Sequence, residues 1–452
     1  MPPSFTDVFD NPDDFNFLGL NTAKYFYDLS LVRERDWLDE PINKDLLKHD
    51  FLSKPLLVII SLLKLIYLLI TNRNKIIFYG SPNHLIKEGG TYFDLYNYNI
   101  VKDIGLNKTL IIQDRRDIIK KKTFSPTINM DDIVPLFVLI KTFLKISLKK
   151  ELLEFKVRNG RKLKILGFSE DESITKILVF YSRYLFFSFF LSIIKPKSAL
   201  VICHYSKHAF TTACKRLKIP VVELMHGAIL PNQKKYYNLK ITPEFATAFR
   251  KGSLPDLIAV YGDYWKKELI DGKMFSENSI INIGYYQKLR TIDPHSIRTN
   301  RRKTILIASD FLMQTYFLNY IKFLKTKLDQ DKYRIIIKLH PAEDGRLFTE
   351  VVDNQLVFLE TTDIYELFNQ ADVLISVYST VLFEATLYNL RSYSLFIPKY
   401  QKECEMTVKT GVAQRLDPDQ IPDFRPIGNT KKGYFLDTYN FNNISRLLGI
   451  EK

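Results

Sequence analysis

The sequence predicts an α/β protein built from two doubly wound domains, and three observations carry that prediction. The chain has 452 residues, more than one ordinary domain holds. Short apolar runs alternate with helical stretches along it, which is the traffic of a parallel sheet. That traffic comes in two series, separated by a polar, basic, proline-containing stretch at 293–303.

The first series supplies KIIFY (75–79), TLIIQ (109–113), ALVIC (199–203), PVVEL (220–224) and LIAVY (257–261), with helical segments such as 209–217 and 264–270 between them. Each is a short apolar run rather than an alternating one, as expected of parallel strands covered on both faces. The second series reads as a strand TILIAS (304–309), a helix over 311–328, a strand YRIIIK (333–338) and a strand at 355–359. It continues with a helix over 363–370, a strand DVLIS (372–376) and a helix from Thr380. Asp363 opens the 363–370 helix with Glu366 three residues on, a start resembling a capping box. The division that follows is a domain over 1–298 and a domain over 299–452, with residues 1–50 as a lead-in or short helical cap.

Composition narrows the function classes. Hydrophobic residues at 46% and charged residues at 25% permit real cores and exclude a disordered chain. Glycine is scarce, and neither a P-loop nor G-x-G-x-x-G occurs. The net charge of +15 calls for anionic partners: nucleic acid, anionic lipid or a phosphorylated substrate. The basic residues are dispersed and form no recognised nucleic-acid motif, so nucleic acid is not expected. Cys203, Cys214 and Cys404 are scattered, which suits a reducing cytoplasm and neither a disulfide framework nor a metal site. Asp417-Pro418-Asp419 has the spelling of a metal-binding DxD but follows no apolar strand, so no metal and no cofactor are expected.

The N-terminus lacks the basic and apolar regions of a signal peptide. The apolar run PLLVIISLLKLIYLLI (55–70) contains Lys64 and falls short of the roughly 20 residues a span needs. Three segments mix apolar and basic residues: 54–75, 134–150 and 176–197, the last with Arg183 inside it. Each alone reads as a core helix. Together with the net charge they suggest a peripheral protein on an anionic membrane, at the cytoplasmic face of the plasma membrane.

In doubly wound sheets ligands bind beyond the carboxyl ends of the strands, so chemistry is sought there. His340-Pro341 follows YRIIIK. The proline restrains the backbone, and the histidine can bond a phosphate or carry a proton, or be a plain surface residue. Lys338 and Arg334 are near enough in sequence to help. In SVYSTVLFEA, Ser379 and Thr380 stand at a predicted helix start that favours phosphate, or caps the helix and nothing more. Glu384 lies a turn further on the same face, suited to ribose hydroxyls. In ELMHG, Gly227 permits a sharp reversal and His226 suits a general base. Glu223, Asp114 and Asp117 are alternative bases. His204 and Tyr205, with Lys207 and His208 beyond, follow ALVIC and complete the cleft candidates.

The order HG, HP, S-T-x-x-x-E, set within IPVVELMHGAI, LPDLIAVYGDYW, INIGYY, IIIKLHP and ADVLISVYSTVLFEA, resembles bacterial surface-polysaccharide transferases of the GT-B type. These include capsule Kdo transferases, bacterial sialyltransferases and teichoic-acid glycerophosphotransferases. The resemblance covers residues 198–390. It implies two Rossmann-like domains facing across a cleft, acceptor in the first and nucleotide donor in the second. It implies donor-phosphate contacts at His340, Ser379 and Thr380, ribose or nucleotide contact at Glu384, and His226 near the reacting centre. Met225 stands where the glycerophosphotransferases have tryptophan before HG, and the paired acidic motif of several sialyltransferases is missing.

The function implied is inverting, metal-independent transfer of a sugar from a nucleotide-activated donor to a lipid-linked or growing capsule- or O-antigen-type polysaccharide. Other polysaccharide-assembly proteins are possible partners. The alternative is transfer of glycerol or ribitol phosphate from a CDP-polyol. The remaining rival is a non-enzymatic nucleic-acid-binding protein.

Overall fold

The computed structural model describes residues 8, 11, 13–33, 55–80, 85–88, 91–94, 96–113, 127–229, 243–271, 274–287, 302–310, 312–340, 343, 345–425 and 434–450. Asp114, Asp117, Pro341 and the expected boundary at 298/299 lie outside these residues.

The first sheet has seven strands: β1 (Ile76–Tyr79), β2 (Thr109–Gln113), β3 (Thr127–Asn129), β4 (Ala199–Val201), β5 (Val221–Leu224), β6 (Leu257–Val260) and β7 (Ile280–Asn282). Its spatial order is β7-β6-β5-β4-β1-β2-β3, with every pair parallel. The second sheet has β8 (Lys303–Ala308), β9 (Tyr333–Lys338), β10 (Val357–Glu360), β11 (Val373–Ser376), β12 (Arg391–Leu395) and β13 (Gln414–Leu416). These lie in the order β10-β9-β8-β11-β12-β13, again all parallel. Each sheet reverses its strand order once, between β1 and β4 and between β8 and β11. A doubly wound sheet opens its binding crevice at that reversal.

The apolar runs read as strands all become strands, whereas the run at 55–70 is helical. β3, β7, β12 and β13 were not expected: three of them have only three residues, and β12 (RSYSL) is too polar to read as buried. Its Ser394 is nonetheless fully buried, with Oγ donating to the Val377 carbonyl at 2.6 Å.

Among the described residues the helices are α1 (Ala23–Arg33), α2 (Pro55–Thr71), α3 (Tyr98–Ile104), α4 (Val134–Ser147), α5 (Lys149–Ile165), α6 (Glu170–Ile194), α7 (His208–Arg216), α8 (Pro243–Gly252), α9 (Asp263–Asp271), α10 (Gln314–Lys327), α11 (Ile364–Gln370), α12 (Val381–Glu384), α13 (Gln401–Thr410) and α14 (Asn442–Ser445). α11 is capped by Asp363, whose Oδ1 accepts the Tyr365 N–H at 2.9 Å. α6 starts at Ser169, whose Oγ accepts from the Glu172 N–H, and three acidic residues fill its first turn, where the helix dipole favours them.

Two expectations are corrected. The lead-in is more than a cap: α1 buries Phe26, Lys24 and Asp28 completely, or nearly so, inside the first domain. The three apolar-basic segments also part ways. α6 is a core helix, burying Phe186, Phe187, Phe190 and Ile194. Among the described residues it alone is long and apolar enough to cross a membrane, and half of its apolar window is buried. α2 and α4 pack on each other but bury only a narrow seam. On α2, Leu65 and Leu69 face inward while Ile59, Leu63, Ile66, Tyr67 and Ile70 form a stripe at helical spacing facing outward. On α4, Leu139, Phe143 and Ile146 do the same.

The segment 434–450, assigned by sequence to the second domain, returns to the first. The Asp437 N–H donates to the Tyr261 carbonyl (2.7 Å), the Tyr285 N–H to the Asp437 carbonyl (2.9 Å), and Trp265 Nε1 to the Phe435 carbonyl (2.8 Å). Gly284 makes this docking possible, since its φ is +78° and a Cβ there would collide with the Thr438 backbone. Gly284→Ala is expected to destabilise the protein by about 2 kcal/mol, through a left-handed alanine and displacement of the tail. Urea unfolding would measure it, and an unchanged midpoint would show the tail contributes nothing.

Candidate active site

The two domains touch where the exits of β5 and β7 meet the exit of β11. β5 runs into Met225-His226-Gly227-Ala228. The Ala228 N–H donates to Thr380 Oγ1 at 3.1 Å, across the domain boundary. Gly227 gives this approach room, because a Cβ would lie a tight 3.1 Å from the same oxygen. From the exit of β7, the Tyr285 hydroxyl donates to Glu384 Oε1 (2.9 Å) and pairs with the Tyr365 hydroxyl (3.1 Å). Trp265 packs its ring on Phe383 at 5.0 Å, closing the contact from below.

The helix start expected at Thr380 is weaker than the sequence implied. α12 has four residues and passes directly into a 3-10 turn, Ala385–Tyr388. Its dipole is correspondingly small, so hydroxyls and single N–H groups, rather than a macrodipole, are what it offers a phosphate. Ser379 Oγ accepts from the Val381 N–H at 3.4 Å. Glu384 is not displayed to the cleft as expected, since it is 6% exposed. Burial pushes its carboxyl up to about 7, with the Tyr285 and Tyr365 hydroxyls opposing the rise.

His226 is half-buried at the mouth of the first domain. Cys203, at the exit of β4, places its Sγ 3.3 Å from Nε2 and 3.6 Å from Nδ1 of the ring. Tyr96 and Tyr205 flank it at centroid distances of 6.1 and 6.4 Å. Burial works against a charge on the ring, but the Cys203 sulfur and the Glu223 carboxylate together outweigh it and hold the imidazole above the ordinary histidine range.

Glu223 and His204 are corrected from cleft residues to buried supports. Both are 0% exposed, with His204 Nδ1 at 2.6 Å from Glu223 Oε2 and the His204 N–H donating to Oε1 at 3.3 Å. Burial opposes the Glu223 charge, yet His204 and His226 hold its carboxyl below the usual range, so it stays ionised. Behind this pair lies another: Asp28 accepts from Lys24 Nζ (2.5 and 2.6 Å) and sits 2.8 Å from His208 Nε2. The His204 and His208 rings meet at 6.5 Å. Burial pushes His208 below its ordinary range against the pull of Asp28, so its ring is neutral. Six ionisable groups thus run inward from the cleft. Such burial is unfavourable unless every charge is paired, and perturbed groups of this kind cluster at functional sites.

On the second domain, His340 follows β9. Its backbone N–H, which a phosphate could use, donates instead to Glu343 Oε2 at 2.6 Å. The Ser309 hydroxyl donates to the other oxygen at 2.8 Å. Burial raises both Glu343 and Asp310, partly offset by His340 beside them. Lys338 donates to the Thr361 carbonyl at 3.2 Å, and Arg334 pairs with Glu360 at 3.3 Å while covering the Phe358 ring. Among the described residues no group of three His, Cys, Asp or Glu side chains could hold a metal ion.

A cavity of about 720 Å³ lies away from this site, against Lys215, Arg216 and Lys251. It abuts the carboxyl ends of α7 and α8, whose exposed carbonyls favour these cations.

The structure brings Gly227 and Ala228, next to His226, against Thr380, and buries Glu384, Glu223 and His204. It adds Cys203, Tyr285, Tyr365, Asp310, Glu343, Lys24 and Asp28, none of which carries a local motif. Strand-exit position alone could have singled out Cys203, Tyr285 and Asp310.

Two doubly wound sheets meeting through their strand exits define a GT-B architecture, and the chain is similar to surface-polymer transferases of that class. Residues 301–389 match the family model for CDP-glycerol:poly(glycerophosphate) glycerophosphotransferase, a segment that contains His340, Ser379, Thr380 and Glu384. The teichoic acid glycerol-phosphate primase of Bacillus subtilis (strain 168) is 25% identical over 138 residues, covering 28% of this chain and 36% of that protein. The chain thus spans little more than a third of the curated relative it matches. Similar solved structures include a UDP-GlcNAc 2-epimerase from Methanocaldococcus jannaschii (12% identity, 83% of this chain and 99% of that one, TM-score 0.48). Another is the calicheamicin glycosyltransferase CalG4 (10%, 83% and 90%, TM-score 0.44).

Proposed function

We propose that the protein transfers a polyol phosphate, glycerol phosphate in the simplest case, from a CDP-activated donor to a hydroxyl of a surface polymer of the teichoic-acid type. The match of residues 301–389 carries this reading, because it includes Thr380, which accepts the N–H of Ala228, two residues beyond His226. In the reaction His226 takes the proton of the acceptor hydroxyl, the oxygen attacks the phosphorus bonded to the polyol, and the bond to CMP breaks. The Ser379 and Thr380 hydroxyls and the His340 ring would hold the departing phosphate. Thr380 Oγ1 already accepts the Ala228 N–H, and its own O–H stays able to donate. Glu223 stabilises the imidazolium that forms.

The sugar transfer expected first from sequence becomes the second reading. The family match ends at residue 389 and leaves the first domain unmatched, and the same site elements serve a nucleotide diphosphate whatever it carries. The outward stripes of α2 and α4, with Lys145, Lys149 and Lys150 exposed beside them, support work at an anionic membrane, where a lipid-linked acceptor would lie.

The test is turnover of labelled CDP-glycerol and of UDP-, GDP- and TDP-sugars, with calorimetry of CMP, CDP and UDP on wild type and His340→Ala. Acceptor-dependent CMP release is expected. Turnover of a nucleotide sugar alone reverses the order of the two readings. Absence of nucleotide binding at millimolar concentration defeats both.

A further inference from the structure

We infer that Cys203 is a positioning residue for His226: its thiol fixes the orientation of the imidazole at the mouth of the cleft. The inference rests on His226 being the base proposed above.

Its support is geometric. The Cys203 sulfur lies within hydrogen-bonding reach of the ring, 3.3 Å from Nε2. The backbone that aims it is unusual. Cys203 has φ +57° and ψ +60°, a left-handed conformation that a side chain with a Cβ adopts rarely and at a cost of about 1 kcal/mol. Such a conformation persists only when its surroundings over-determine it, and here they do. The Ser206 N–H and Oγ both donate to the Cys203 carbonyl at 2.9 Å. The following N–H, of His204, is held by Glu223 Oε1, and the His204 ring by Oε2. The turn after β4 is thereby locked to β5, and the lock directs the thiol across to the residue that leaves β5.

The His226 backbone is anchored as well. The Tyr286 hydroxyl donates to the Met225 carbonyl at 2.5 Å, and Gln287 Nε2 to the His226 carbonyl at 3.5 Å. With the main chain fixed, the ring orientation is decided by its side-chain neighbours. Those that titrate are Cys203 and Tyr205 from the β4 exit, Glu223 on β5, and Tyr96 ahead of α3. The tyrosines meet the ring through their faces and edges, and Glu223 acts through space. The thiol meets the side of the ring that carries both nitrogens, 3.3 Å from Nε2 and 3.6 Å from Nδ1. Cys214 and Cys404 lie in the apolar cores, so the half-buried Cys203 is set apart from them in both place and partner.

The experiment compares wild type with Cys203→Ala and Cys203→Ser. Three quantities are read: kcat and KM against pH, the His226 ring titration by NMR, and the rate of S-alkylation by iodoacetamide. In that last reaction an S–C bond forms, the C–I bond breaks, iodide leaves, and the thiol proton passes to His226 or water.

Cys203→Ala is expected to lower kcat about 10-fold with donor KM little changed, as a misaimed base does. The acid limb of the pH profile and the His226 midpoint should both move toward the ordinary histidine value. Cys203→Ser, which keeps a hydrogen-bonding group, should recover most of the loss. In wild type, Cys203 should alkylate first and inactivation should follow its labelling. His226→Ala should slow that labelling.

A Cys203→Ala protein with the wild-type pH profile and an unchanged His226 titration overturns the inference. The ring titration and the labelling need no substrate. If no donor turns over, or His226→Ala retains full activity, the function proposed above fails while these two readouts still judge the contact.

Discussion

His226→Ala should lower donor turnover by about 10²–10⁴-fold while leaving nucleotide affinity near its wild-type value, the range a positioned general base contributes. The residue stands on the first domain, whereas the elements matched to the glycerophosphotransferase model stand on the second. Loss of the base should therefore appear in kcat and not in binding. The pH profile adds a sign. The imidazole must be neutral to accept a proton, so activity rises with pH through its midpoint. Cys203 and Glu223 outweigh burial to raise that midpoint, placing the acid limb above the ordinary value of 6.5. A variant with near-wild-type turnover, or an acid limb well below 6.5, would remove His226 from the chemistry. In that case Asp310 and Glu343 in the second domain, and Asp114 and Asp117 outside the described residues, are the carboxylates to test next.

The second large effect concerns stability. Glu384 is buried beneath Tyr285 and Tyr365, and desolvation lifts its carboxyl from 4.5 to about 7. A folded-state value above the unfolded one means that the native state binds the proton more tightly. The associated stability is fully present below pH 4.5 and is lost as pH rises through about 7. The difference corresponds to about 3 kcal/mol. Glu384→Gln keeps an acceptor for Tyr285 and a donor for Tyr365 but cannot ionise. The variant should therefore gain on wild type as pH climbs from 4 to 8, by about 2–3 kcal/mol, and match it at the acid end. Chemical denaturation of both proteins at the two pH values measures the gain. A constant difference would mean that Glu384 is not desolvated, and that water or the cleft reaches it. The same carboxyl would meet ribose only after the Tyr285 contact gives way, so nucleotide affinity in this variant reports separately on the donor site.

Much of the site was visible in the chain because it depends on local order. A run such as YRIIIK is apolar without alternation, which makes it a buried parallel strand. The residue that follows such a strand must emerge at the carboxyl edge of the sheet. That reasoning found His340 and His226, and it found Gly227, whose missing Cβ lets Thr380 approach. It failed where a residue's surroundings come from far along the chain. Glu384 looked like an exposed ribose ligand by its spacing from Thr380, but Tyr285, 99 residues earlier, covers it. Glu223 looked like a base from its place in ELMHG, but it is fully buried and paired with His204 inside the fold.

The sequence by itself determined the two βαβ series, the parallel sheets they imply and the strand exits where chemistry can occur, because periodicity and strand ends are properties of neighbouring residues. Only the tertiary structure decided which of those exits meet. It brought Cys203 onto His226, wired α1 through Lys24 and Asp28 to the interior behind the base, returned segment 434–450 to the first domain, and left α2 and α4 with apolar faces outward. Each of these depends on which surfaces remain uncovered once the sheets are packed, and burial of that kind is a property of the whole fold.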